Sequence, residues 1–105
     1  MASFPSNGGM YHVLSSDSVA KVFRRLYLQA KNEGRADAFM SAVHQIGHRL
    51  IRAPLELGEP MYRLPGMHLQ VRQVAVGPLL IYFAVHDQRP LVFIKGAALI
   101  PKENA

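Results

Sequence analysis

The 105-residue chain has no cysteine, which excludes a disulfide framework, a thiolate metal site and a cysteine nucleophile. It has no uninterrupted apolar run of about 18 residues, the length a membrane-crossing helix needs. Its opening MASFPSNGGM lacks the basic-then-apolar order of a secretory signal. These absences lead us to expect a soluble protein of the reducing cytoplasm, with no membrane partner. Acidic residues are scarce, 7 against 12 Lys plus Arg, for a formal net charge of +5. That surplus favours an anionic partner: RNA, DNA or an acidic protein. Half of the residues are hydrophobic, and a chain this size buries roughly two-thirds of its unfolded surface, enough for one core.

Residues 1–9 carry Pro5, Gly8 and Gly9 with almost nothing to bury, so a flexible leader is expected there and a single domain over 10–102. MYHVL (10–14) suits a short strand. Ser15, Ser16 and Asp17 then offer helix caps, and Val19, Val22, Phe23, Leu26, Tyr27 and Ala30 form one apolar stripe at helical spacing. Gly34 closes that helix. A second helix is predicted over 36–52, with Phe39, Val43, Ile46 and Leu50 on one side and Pro54 beyond its end. The intervening four residues make the two an antiparallel hairpin. The remainder is strand-like over 61–64, 67–76, 78–85 and 90–99, with links too short for crossover helices, so antiparallel pairing is expected. The predicted fold is α+β in two layers, β-α-α-β-β-β-β, with the helical hairpin on one face of an antiparallel sheet.

Alternation along 67–76 points Leu69 and Val71 toward the helices and His68, Gln70 and Arg72 to the open face. On the next strand Leu80, Tyr82, Ala84 and His86 are assigned to that open face because they carry its polar tips, and Lys95 of the last strand is placed with them. His44 and His48 stand one helical turn apart, as in a zinc-binding H-E-x-x-H helix, but Gln45 occupies the general-base position and no third ligand follows, so no metal or other cofactor is implied. Lys21, Arg24, Arg25 and Lys31 fall on the outer side of the first helix, a solvated face or a surface for phosphates or an acidic partner.

The open face offers one recognisable chemistry. Cleavage of RNA by its own 2′-OH needs a base, an acid for the leaving 5′ oxygen and positive charge on the phosphate, without a metal. Arg72 can supply the charge through paired N–H bonds, and His68, Tyr82 or His86 the proton transfers.

The element order, the basic charge and the run MHLQVRQVAVGPLLIYFAVHDQRPLVFIKGAALIPK resemble the RelE/ParE superfamily of type II toxin–antitoxin toxins over residues 10–102. The helical hairpin, the connection APLELGEPMYRLPG, the arginine of LQVR and the GPLLIYFAV and PLVFIKGAAL strands carry the resemblance. It implies a protein antitoxin as partner and either of two targets, mRNA on the ribosome or DNA gyrase. For RelE-like mRNA endonucleases it implies a phosphate-binding role for Arg72. Such members typically carry a second arginine in the following strand, where this chain reads Leu79-Leu80, and a basic residue and a tyrosine after the last strand, where only Lys102 stands. Arg63, Lys95 and Lys102, with Lys21, Arg24 and Arg25, are the residues expected to touch nucleic acid or a partner. A toxin or diverged relative that works by binding, a metal-independent endonuclease, and an interaction protein that keeps only the fold all remain open.

Overall fold

Helix α1 spans Asp17–Asn32, and it begins where a side chain can satisfy its free N–H groups: the Ser16 hydroxyl accepts from the Val19 amide at 3.2 Å. It ends as Gly34 takes a left-handed φ of +74°. Helix α2 spans Ala36–Arg52 and stops two residues before Pro54. In the computed structural model, which describes residues 10–102, both helices lie where periodicity places them. The expected leader at 1–9 lies outside the described residues.

Among the described residues five strands follow the predicted order: β1 His12–Leu14, β2 Glu59–Leu64, β3 Leu69–Val76, β4 Leu79–His86 and β5 Leu91–Leu99. They form one sheet in the order β1-β5-β4-β3-β2. The pairings β2–β3, β3–β4 and β4–β5 are antiparallel, as their short connections require. β1, however, pairs with β5 in parallel, His12 opposite Leu91 and Leu14 opposite Phe93, so the sheet is mixed rather than antiparallel throughout. Short links set the direction of β2 to β5 alone. The whole helical hairpin separates β1 from them, and no turn length sets its direction.

The core lies between the hairpin and one face of the sheet. Leu26 and Ala30 of α1 and Phe39, Ile46 and Leu50 of α2 meet Val74 of β3, Leu79, Ile81, Phe83 and Val85 of β4 and Val92 of β5. Each of these side chains except Ala30 contributes about 1.5–3 kcal/mol by leaving water. Tyr27 and Phe39 join the helices to each other with rings 6.2 Å apart at 57°, within the tilted range that aromatic pairs prefer. No helix among the described residues is long and apolar enough to cross a membrane.

Both edges of the sheet are blunted. β1 is three residues long. β2 carries Pro60, which has no N–H to offer, and a register shift around Met61 that interrupts its ladder.

Candidate functional site

β4 sets the reference for the two faces. Leu79, Ile81, Phe83 and Val85 are in the core, so Leu80, Tyr82, Ala84 and His86 face away from the helices, as predicted. The two-residue turn Gly77-Pro78 pairs Val76 with Leu79, and this register continues to Gln73 opposite Tyr82, Arg72 opposite Phe83 and Val71 opposite Ala84. Residues directly opposite across a ladder share a face. Arg72 therefore lies on the helix side with Phe83, and the predicted assignment of β3 is reversed.

The reversal has a physical basis in β3 itself. Its odd positions begin apolar (Leu69, Val71) and end polar or small (Gln73, Ala75), while its even positions run from Gln70 and Arg72 to Val74 and Val76. Leu69, Val71 and Ala84 form a separate small cluster on the open face, covered by Leu64 and Phe93. Beneath them Arg72 is 7% exposed, the sole buried charged residue among those described. Its Nε donates to the Leu57 carbonyl at 3.1 Å, one Nη to the Gly58 carbonyl at 3.2 Å and the other to Gln70 Oε1 at 2.7 Å. A fixed guanidinium fork suits this task, since it reaches two successive carbonyls of the α2–β2 connection at once. Gly58 is part of the same joint: it adopts φ +67°, and a Cβ there would collide with the Gln73 backbone.

The other predicted residues separate into three places. His68 and His86 come together at one end of the sheet, rings 6.0 Å apart. His68 itself sits in a left-handed conformation at the close of the single helical turn Pro65–Met67, and its carbonyl accepts from the Asp87 amide at 2.8 Å. His86 Nδ1 accepts from the Gln88 and Arg89 amides at 3.0 and 3.1 Å and caps the β4–β5 turn. Arg63 pairs with Asp87 beside them.

Tyr82 stands four residues away from His86 on the same strand face, about 13 Å at strand rise. It lines an open slot of about 290 Å³ with Met61 and Tyr62 of β2, Val71, Lys95 and Gly96. Lys95 enters this slot because β5 shifts register between Ile94 and Gly96 and leaves Lys95 as the extra residue. Tyr62 and Met61, 49% and 45% exposed, were not among the predicted site residues. Adjacent Met61 and Tyr62 both reach the slot because the register shift between Pro60 and Tyr62 breaks the alternation of EPMYRL, which by itself would send them to opposite faces.

Lys102 lies elsewhere, its Nζ donating to the Glu33 carbonyl at 3.2 Å, next to Arg35, which donates to the Ile100 carbonyl at 2.8 Å and pairs with Glu33. The Arg35 hydrogen bond, helped by one from Gln29, holds the Glu33 carboxyl below its usual range. Lys21, Arg24 and Arg25 are exposed on α1, in the opposite layer.

A group on the open face thus meets an aromatic and apolar slot with one ammonium at its rim. Acid, base and phosphate-binding charge do not converge on one point: the histidines cap turns at the sheet end, and Arg72 is engaged behind the sheet. His44 and His48 are exposed on α2, and no cluster of three metal-ligating side chains occurs among the described residues. Comparisons with protein-family models, with curated proteins and with solved structures gave no match for this chain.

Proposed function

We propose that the chain is a RelE/ParE-like domain that acts by binding a partner protein on the open face of its sheet, without cleaving RNA. The observation that carries this reading is the engagement of Arg72 by the Leu57 and Gly58 carbonyls on the opposite face. The slot supports it as well: Tyr62, Tyr82 and Met61 give it the aromatic and methionine character of an interface centre, and Lys95 gives it one contact for a carboxylate. The helical hairpin packed on a β2–β5 meander agrees with the resemblance of the sequence to that superfamily, whose toxins are held by antitoxin proteins.

The test is binding of the purified chain to the small protein encoded beside it, with RNA mapped in cells after induced expression. Tyr82→Ala is expected to weaken that complex on the order of 10- to 100-fold, as loss of an interface anchor does, while no new mRNA ends arise. New mRNA ends that accompany growth arrest, or a complex indifferent to Tyr82→Ala, would refute the proposal.

A further inference from the structure

α1 turns a second surface outward, in the layer away from the sheet. Projected at about 100° per residue, Arg25, Lys21, Leu28, Arg24 and Lys31 fall within an arc of about 120°, with Leu28 at its middle. All five are exposed, and Leu28 is 58% exposed, the largest value for a leucine among the described residues. Neither ion pair among the described residues involves these four cations. Asp17, one turn before Lys21, is the single acid on the same arc. Like charges three and four residues apart repel on a helix, as Lys21 does with Arg24 and Arg25. A merely solvated face gains nothing from this arrangement. The stripe extends about 15 Å from Lys21 to Lys31 at helical rise.

Two polyanions fit such a stripe, a phosphate backbone and an acidic protein, and Leu28 decides between them. Phosphates offer an exposed leucine no apolar counterpart. An apolar centre ringed by charges, with two arginines among them, is the layout of a protein interface. We propose that the outer face of α1 docks an acidic helical segment of a partner protein, whose apolar side chain covers Leu28 while its carboxylates pair with Lys21, Arg24, Arg25 and Lys31. This surface goes beyond the sheet-face reading and does not depend on it.

The full chain is titrated with a labelled alanine-based helix that carries one central leucine ringed by four glutamates, and in parallel with duplex DNA. The expected result is saturable binding of the peptide that weakens as salt rises and falls on the order of tenfold in Leu28→Ala. Charge reversal at Arg24 and Arg25 should abolish it, and Tyr82→Ala should leave it unchanged. Circular dichroism checks that each exposed-site variant keeps its fold. Duplex DNA that binds as tightly as the peptide, with Leu28→Ala without effect, would overturn the proposal in favour of a phosphate-backbone surface. Failure of the peptide to bind at low salt would overturn it outright.

Discussion

The covered and open faces of this sheet are built from the same strands with opposite uses of polarity. On the covered face β4 presents Leu79, Ile81, Phe83 and Val85, each no more than 3% exposed, and the helices seal them. On the open face the same strand presents Leu80, Tyr82 and His86, all partly exposed, around the buried Ala84. Among the described residues, the one charged residue hidden by the fold is Arg72, which stands on the covered side and donates to the Leu57 and Gly58 carbonyls of the α2–β2 connection. The strand cation with the most catalytic promise by type is thus the one that the fold uses as a brace. The open face retains contact chemistry instead.

Adjacent residues of β4 put that contrast to its hardest test. Phe83→Ala removes a fully buried ring and should cost about 3–5 kcal/mol, measured by denaturant unfolding. Tyr82→Ala, one residue along on the open face, should cost less than about 1 kcal/mol while impairing partner binding, in keeping with a partly exposed side chain outside the main core. Equal losses at the two positions would break the distinction between the faces. The smallest effect is expected at the hairpin turn. Because the folded-state pKa of Glu33 is lowered by Arg35 and Gln29, its contribution is complete above the unfolded carboxylate value and is lost as pH falls through the folded value. Glu33→Gln should flatten the acid side of the melting-temperature profile and leave its neutral part nearly unchanged.

Both helices were legible: for α1 the stripe from Val19 to Ala30, the Ser16 cap and Gly34 agree, and for α2 the stripe through Phe39, Ile46 and Leu50 ends ahead of Pro54. β4 was equally plain, since its core positions carry large apolar side chains throughout. β3 was not, because its apolar residues change parity midway and alternation alone favours the wrong face for Arg72. The register would have corrected it: a two-residue turn at Gly77-Pro78 together with Phe83 in the core places Arg72 inside. The parallel direction of β1 and the register shifts that expose Met61 and deliver Lys95 to the slot depend on cross-strand contacts, which leave no local pattern. Of the predicted site, Tyr82 and Lys95 meet in the slot and His68 meets His86. Arg72 and Lys102 are taken up in holding the chain together.

The most direct measurement is the unfolding free energy of Arg72→Ala beside the wild type, with RNA cleavage assayed on the same two proteins. Loss of three guanidinium hydrogen bonds, with two carbonyls left behind, predicts a cost of about 2–4 kcal/mol and no cleavage by either protein. A stability change within about 0.5 kcal/mol, together with cleavage by the wild type that the substitution removes, would contradict the account.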